Sequence, residues 1–163
     1  MTLGWLRYPT VHGDRVVFVC EDDLWVAPVD GGLARRLTTG LGACARPRLS
    51  PDGRWIAFDG TEEGVREVYV VDADGGAVRR RSWHGDSAQV VGFDPSGRIV
   101  FTSGVGQAFA RDTLAYAVGV DDGLPEALPY GPVAGGAPGP DAIAVCRHAT
   151  DLAGWKRYRG GRA

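Results

Sequence analysis

The feature that most constrains the fold of this 163-residue chain is an internal repeat of about 44 residues. A short turn motif that contains Gly and Asp precedes an apolar run four times along the sequence. The last apolar residues of the runs are Phe18, Phe58, Phe101 and Val145, so they are separated by 40, 43 and 44 residues. A repeat of this length, with short alternating apolar runs between turns, is typical of propeller blades, which bury their faces by stacking on one another.

A second marker follows the first with nearly the same period. It is an aromatic residue with an apolar neighbour on each side, and its three copies are Leu24-Trp25-Val26, Val68-Tyr69-Val70 and Ala115-Tyr116-Ala117. Each copy leads to a glycine turn, and these turns are Asp30-Gly31-Gly32, Asp74-Gly75-Gly76 and Asp122-Gly123. Because Asp-Gly and Pro-Asp-Gly sequences close hairpins, each complete repeat is predicted to form four short antiparallel strands.

The repeat therefore predicts an all-β fold, an incomplete β-propeller of about three and a half four-stranded antiparallel blades within one domain, residues 1–163. The predicted limits are 6–40 for blade one, 45–85 for blade two, 87–131 for blade three and 132–163 for a partial blade four. Residues 151–163 are expected to form an outgoing loop. Two strands of blade four are too few to cap blade three, so we expect an uncovered face and a chain that is marginally stable, oligomeric or prone to aggregate.

Composition excludes several classes of protein. The 25 glycines and 10 prolines leave little room for long helices, and a formal net charge of −2 provides no global attraction to nucleic acid or anionic membranes. Residues 1–7 lack the pattern of a signal peptide, and no run of about 18 apolar residues could span a bilayer. Cys20, Cys44 and Cys146 have neither the even number of a disulfide framework nor a C-x-x-C spacing for zinc. These features predict a cytoplasmic protein.

The polar motifs have ordinary explanations in a propeller. His84, Asp86 and Ser87 are the residue types of a catalytic triad, but three neighbours on one tight loop seldom align, and no G-x-S-x-G motif is present. The acidic clusters 21–23 and 62–63 lack the spacing of a calcium loop and are interpreted as charged hairpin tips. The sequence therefore predicts no catalytic, cofactor-binding or metal-binding residues.

Arginines and apolar residues are interpreted in the same way. Arg79-Arg80-Arg81 beside Trp83 could bind nucleic acid, but Arg35-Arg36 stands at the same place in blade one, so an outer strand that faces solvent is favoured. The cysteines near apolar runs are expected to be unpaired core thiols. The aromatic residues of the repeats are expected to form the core between blades, and these are Trp25, Trp55, Phe58, Tyr69, Phe101 and Tyr116.

Longer motifs resemble a known family. Ser50-Pro51-Asp52-Gly53 and Val68-Tyr69-Val70-Val71-Asp72 resemble the WD40-like repeat (PD40) of TolB-type propellers. Residues 8–25, YPTVHGDRVVFVCEDDLW, resemble the start of the tricorn proteases, which belong to peptidase family S41. Further segments fit the tricorn pattern, and these are Gly92-Phe93-Asp94-Pro95, Gln107-Ala108-Phe109 and Trp155-Lys156-Arg157-Tyr158-Arg159-Gly160-Gly161.

The resemblance implies a non-catalytic N-terminal segment of a six-bladed propeller in a serine peptidase that degrades oligopeptides downstream of the proteasome. Such a segment would act as a gate or scaffold, inactive alone, and its partners would be the remainder of the peptidase, the other subunits of a homo-hexamer and peptides passing through the propeller. The family's basic pair near the end of the second blade has no counterpart in the short connection 82–87, so no binding residue is carried over. The alternative is a stand-alone TolB-like propeller that acts as a protein-interaction module.

Overall fold

A computed structural model describes residues 4–108, 112–139 and 141–147, and every regular element in these ranges is a β-strand. The thirteen strands are β1 (Arg7–His12), β2 (Arg15–Cys20), β3 (Asp23–Pro28), β4 (Arg35–Arg36), β5 (Ala45–Leu49), β6 (Trp55–Gly60), β7 (Glu67–Asp72), β8 (Arg79–Arg80), β9 (Gln89–Phe93), β10 (Ile99–Ser103), β11 (Leu114–Val118), β12 (Glu126–Pro138) and β13 (Ile143–Arg147). The predicted outgoing loop, 151–163, and the predicted motif residues Phe109 and 155–161 lie outside the described ranges.

The first two sheets are four-stranded antiparallel meanders. Strands β1–β4 form blade one and β5–β8 form blade two, each in chain order, with the short fourth strand at the outer edge. Tight turns connect the strands, and Glu21 and Asp22 both have positive φ, 50° and 68°, as a two-residue type I′ hairpin requires. The turn chemistry of the sequence therefore sets the strand pairing directly.

The third sheet differs from the predicted four strands because β12 is shared. Its first residues pair with β11 through Tyr116↔Ala127, which makes them the outer strand of blade three. The strand continues without a break, and its last residues pair with β13 through Gly136↔Val145. The result is one five-stranded sheet in the order β13-β12-β11-β10-β9. The all-β incomplete propeller is confirmed, whereas the blade limits remain a proposal, since one strand here serves two blades.

The core lies between the sheets rather than within one of them. Blade one contributes small aliphatic side chains such as Val17 and Leu24, which pack against Ile56, Phe58 and Tyr69 of blade two. The next layer repeats this arrangement, with Ala57, Val68 and Val70 of blade two packed against aromatic residues of blade three. Because successive residues of a strand point to opposite faces, each blade presents an aromatic face to the preceding blade and an aliphatic face to the next.

A backbone hydrogen bond recurs where the chain passes from one blade to the next. The three copies donate from a buried residue of the new blade to a carbonyl just before the third strand of the old one: Cys44 N to Asp22 O at 2.9 Å, Ala88 N to Arg66 O at 2.9 Å, and Val133 N to Thr113 O at 2.8 Å. The innermost strands β1, β5, β9 and the end of β12 consequently lie side by side about a common centre.

A buried polar cluster clamps the outer strand of the first two blades. In blade one, Thr38 Oγ1 accepts from the Leu24 amide at 2.9 Å and donates to Asp23, which also binds Arg36. Blade two repeats this cluster, with Ser82, Glu67 and Arg80 in the same roles. Blade three has apolar residues at the corresponding positions, and these are Leu114, Ala127 and Pro129.

Candidate interaction surface

The predicted loop of triad-like residues is not arranged for catalysis. The His84 ring packs against Tyr116 and Phe101, with ring centroids 4.6 and 5.3 Å away. Its Nδ1 is buried without a hydrogen-bond partner in the described part of the chain, and burial lowers the pKa of His84, although Glu67 and Asp86 oppose this change. Asp86 accepts a hydrogen bond from the backbone amide of Ser87, at 2.6 Å. The loop therefore anchors blade two to the aromatic pair of blade three.

The acidic clusters have cationic partners within the chain. Asp22 pairs with Arg7 at 2.7 Å, Asp23 pairs with Arg36, and Glu63 pairs with Arg80. Among the described residues, no group of three or more His, Cys, Asp or Glu side chains is placed to hold a metal ion. The carboxylates therefore serve as partners for arginine.

The arginine run is not the solvent-facing strand that the sequence suggested. Arg81 is buried, and its guanidinium donates to the carbonyls of Gly119 at 2.9 Å and Gly123 at 3.1 Å, both in the hairpin of blade three. Arg79 pairs with Asp121 of the same hairpin at 2.6 Å. The prediction of an exposed run was wrong because the hairpin of the next blade packs against the outer strand of the preceding one.

A cleft lies between blades two and three, on the face that carries the Pro-Asp-Gly turns. Its volume is about 540 Å³, and its polar lining includes Asp52 and Asp121. Asp52 accepts from Ser50 Oγ at 2.5 Å and from the Arg54 amide at 3.1 Å, and hydrogen bonding to Ser50 lowers the pKa of the Asp52 carboxyl. These carboxylates stabilise turns and blade contacts. The Ser50 hydroxyl beside Asp52 also accepts from the Trp55 amide at 2.9 Å, so this pair holds the turn between β5 and β6.

The free cysteines occupy three different environments. Cys44 is buried between blades one and two, Cys20 is half-buried and Cys146 is exposed. Burial raises the pKa of the Cys44 thiol to about 11, so this residue stays protonated at neutral pH. Cys44 thus behaves as a small apolar core residue, as the sequence predicted.

The outward face of blade one carries an incompletely buried aromatic pair. Phe18 and Trp25 are cross-strand partners, as are Phe58 and Tyr69 in blade two. The blade-two pair stacks with ring centroids 5.7 Å apart and is fully buried, whereas Phe18 and Trp25 are only half-buried. We name this surface the blade-one face, defined by Val16, Phe18, Trp25 and Ala27. No strand of the described residues covers the blade-one face, whereas the sequence placed the uncovered face at blade three.

Other apolar side chains among residues 5–33 are exposed as well. Trp5 is 80% exposed, Leu6 61% and Val11 60%, and Leu33 in the hairpin after β3 is 95% exposed and lines a cleft with Ala73 and Asp74 of blade two. Singly exposed apolar side chains are common, so the half-buried Phe18–Trp25 pair is the feature that marks a candidate interaction site. The two internal interfaces support this location, because an adjoining blade covers the corresponding aromatic pairs of blades two and three.

The opposite end of the arc is covered better than the sequence suggested. Val100, Ala115 and Ala117 of blade three are at most 4% exposed, although the described residues include only two strands, β12 and β13, on this side of blade three. A small apolar cavity that is lined by Val100 and Ala115 is closed by Val133 and Val145 of β12 and β13. The shared strand β12 draws this pair close enough to bury the middle of the face.

Sequence reasoning missed one buried ionic cluster. Asp59 of β6 is fully buried, accepts two hydrogen bonds from Arg46 at 3.0 and 2.8 Å, one from Arg66 at 2.7 Å, and one from the Val90 amide at 3.2 Å. Its partners lie 7 to 31 residues away in the sequence, so no local motif reveals the cluster. The available signal was an acidic residue, Asp59, between the apolar run Ile56–Phe58 and the glycine that follows.

Comparison with known proteins accounts for this architecture. Residues 3–163 match the family model described as "Tricorn protease N-terminal beta propeller domain". Tricorn protease homolog 1 of Streptomyces coelicolor is 41% identical over 162 residues, which cover 98% of this chain and 15% of the relative. A putative Tricorn-like protease N-terminal subunit of Sulfurisphaera tokodaii is 28% identical, and the match covers 97% of this chain and 83% of that protein.

A solved structure agrees. The crystal structure of the tricorn protease superposes with a TM-score of 0.74 at 28% identity and covers 87% of this chain, which spans 15% of that longer chain. The described residues contain no helix that is long and apolar enough to cross a membrane. The resemblance that the motifs suggested is confirmed, and the chain belongs to the family of tricorn protease N-terminal β-propeller domains.

Proposed function

We propose that this chain is a non-catalytic propeller segment of a cytoplasmic tricorn-type peptidase and that its blade-one face docks against further blades of the same assembly. The observation that carries the proposal is the half-buried Phe18–Trp25 pair, because the corresponding pairs Phe58–Tyr69 and Phe101–Tyr116 are each covered by an adjoining blade. The apolar burial still available there favours association with a blade of complementary shape.

The comparisons support this assignment. The chain spans 15% of its Streptomyces coelicolor relative, so most of such a protein, including any peptidase part, lies outside the region of similarity. The Sulfurisphaera tokodaii relative, of comparable length, is named as an N-terminal subunit. The additional blades are therefore supplied either by the same polypeptide or by a second one, and the blade-one face serves both cases.

A gate or scaffold is the local role that we assign to the segment. The innermost strands lie side by side about a common centre, so a closed ring built from such blades would enclose an axial channel for oligopeptides. Within the described residues, the triad-like side chains are separated by packing and turn contacts, which favours a role in passage rather than in cleavage. Oligopeptides released by the proteasome are the proposed cargo, and the homo-hexamer is the proposed assembly.

Co-expression in two pieces tests the proposal. The first piece is this chain with an affinity tag, and the second is Tricorn protease homolog 1 of Streptomyces coelicolor without its matching N-terminal segment. We expect a stoichiometric complex that hydrolyses fluorogenic oligopeptides, whereas this chain alone gives no turnover. Trp25→Asp should abolish capture because it places a charge in the centre of the docking face.

The outcomes separate the candidate roles. Capture that survives Trp25→Asp would overturn the docking face, and turnover by the purified chain alone would overturn the non-catalytic assignment. A stable monomer that binds no part of the peptidase would favour the stand-alone interaction module instead.

A further inference from the structure

Arginines of one blade form hydrogen bonds and ion pairs with the hairpin of the next blade, and this contact occurs at both internal interfaces. Between blades one and two, Arg35 Nη1 donates to the Asp74 carbonyl at 2.9 Å, and Arg15 Nη1 pairs with the Asp74 carboxylate at 2.8 Å. Asp74 lies in the hairpin that joins β7 to β8. Cations from the preceding blade therefore bind both the side chain and the backbone of this turn.

The contact between blades two and three repeats the arrangement. Arg79, which stands 44 residues after Arg35, pairs with Asp121 in the hairpin of blade three at 2.6 Å. Arg81 adds bonds to the carbonyls of Gly119 and Gly123 in the same hairpin. In both interfaces, arginines of the preceding blade supply the cations and the neighbouring β-hairpin supplies the oxygens. The fourth-strand arginine binds the hairpin carbonyl in the first interface, where Arg15 of β2 binds the carboxylate, and it binds the carboxylate in the second.

The hairpin of blade one has the same geometry but lacks the cation. Gly31 donates to the Pro28 carbonyl at 3.1 Å, as Gly75 donates to the Asp72 carbonyl at 2.8 Å. The φ angles of Gly31 and Gly75 are 94° and 93°, so Asp30 holds the position of Asp74 on the same turn. Asp30 is exposed and has no ion pair with any residue that the structure describes.

We propose that the Asp30 hairpin is an acceptor site for an arginine that projects from the fourth strand of the blade covering the blade-one face. The inference rests on the proposed function and deepens it by naming the chemistry of the partner. The occupant is a four-stranded blade with an aliphatic face, which packs on Phe18 and Trp25, and a guanidinium at the place that Arg35 and Arg79 hold in this chain. A guanidinium suits the site because its fork of donors reaches a carboxylate and carbonyl oxygens together.

A second copy of this chain does not match the site. In the outer strand of blade three, the residue that corresponds to Arg79 is Glu126, because Glu126 pairs with Ala117 as Arg79 pairs with Val70. A second copy docked by that edge would place Glu126, whose carboxylate lies 3.9 Å from Arg98, where Arg35 and Arg79 stand, so its outer strand would bring no guanidinium to Asp30. Strands β12 and β13 also already cover the aliphatic face of blade three.

A competition experiment tests the inference. The wild-type chain and one variant are co-expressed with a limiting amount of Tricorn protease homolog 1 of Streptomyces coelicolor that lacks its matching N-terminal segment and now carries the affinity tag. We call this partner the remainder. Mass spectrometry measures the ratio of variant to wild-type chain captured with it. We expect Asp30→Arg to be captured about tenfold less than wild type, and Asp30→Asn about threefold less, because reversal adds repulsion to the lost attraction. The control Glu62→Arg makes the same charge change on the exposed connection between β6 and β7 and should be captured equally.

Two further measurements make the outcome decisive. Because Asp30 is exposed and has no ion pair in the described part, the Asp30→Arg chain should melt within one degree of wild type, which separates docking from folding. Placing Asp at the position that corresponds to Arg79 in the blade that covers the blade-one face should restore capture of Asp30→Arg.

Each result then has one meaning. Equal capture of wild type and Asp30→Arg would overturn the acceptor site and leave the proposed docking intact. No capture of the wild-type chain would overturn both. A wild-type homodimer that Trp25→Asp dissociates would also overturn the inference, because the occupant would then be a second copy.

Discussion

Replacing Asp59 by asparagine should lower the free energy of unfolding by about 2–3 kcal/mol, and replacing it by alanine by about 3–5 kcal/mol. The carboxylate is fully buried and receives three hydrogen bonds from two arginines whose side chains are each about a quarter exposed. Burial raises the pKa of the Asp59 carboxyl, and the arginines offset only part of that cost. The intact cluster therefore adds little net stability, and the loss in the variants arises from arginine charges left without a partner.

A combined variant separates this cause from a simple loss of attraction. Replacing Asp59 by Leu together with Arg46→Met and Arg66→Met removes all three charges, and most of the lost stability should return. Urea unfolding of the whole chain, followed by tryptophan fluorescence, measures these differences, with Glu62→Gln as an exposed acidic control. An Asp59→Asn chain within about 0.5 kcal/mol of wild type would refute the reasoning, as would a triple variant less stable than Asp59→Ala.

Three further predictions concern single residues. Cys44 should resist a thiol reagent at pH 8 in the folded chain and react after unfolding, because burial raises its pKa to about 11; labelling in the folded state would contradict this. Burial lowers the pKa of His84, so the unfolded chain binds its proton first: the free energy of unfolding should fall as pH drops below about 6.5, and His84→Phe should flatten that dependence in urea titrations. Gly42→Ala should destabilise the chain by more than 2 kcal/mol and Gly40→Ala by only about 1 kcal/mol, as measured by urea unfolding. Both glycines have positive φ, but a Cβ at Gly42 would lie 2.8 Å from backbone atoms of Thr61, whereas a Cβ at Gly40 meets nothing; equal losses would exclude this clash.

The local features of the fold could be predicted from the sequence because they depend on short-range chemistry. Strand alternation and turn residues act within a few positions, so the assignment of Phe58 and Tyr69 to strands and to the core between blades could be made from the repeat. The continuous strand β12 could not be predicted in this way. A glycine and a proline at 131–132 suggested a break, but hydrogen bonds to two different strands, β11 and β13, carry the extended backbone through them.

The position of the candidate surface was not predicted from the sequence. The repeat placed the uncovered face at blade three and assigned Trp25 to the core between blades, and the structure instead leaves Phe18 and Trp25 of blade one half-buried. The buried arginines were not predictable, because the partners of Arg81 lie 38 to 42 residues further along the chain. A run of arginines reads as solvent-exposed until the neighbouring hairpin is placed beside it.

The division of labour between face and rim follows from these interfaces. The contact of blade one with blade two and that of blade two with blade three both place an aromatic pair on small aliphatic residues, so these apolar faces differ little from one contact to the next. The rim differs, since blades one and two present Arg35 and Arg79 where blade three presents Glu126. Similar apolar faces distinguish poorly between blades, whereas charges of the same sign disfavour a wrong neighbour. The rim, meaning the outer strand and the hairpin before it, can therefore determine which blade adjoins which. The affinity for the blade that we propose to cover the blade-one face should therefore depend mainly on Trp25. The selection of that blade over others should depend mainly on Asp30.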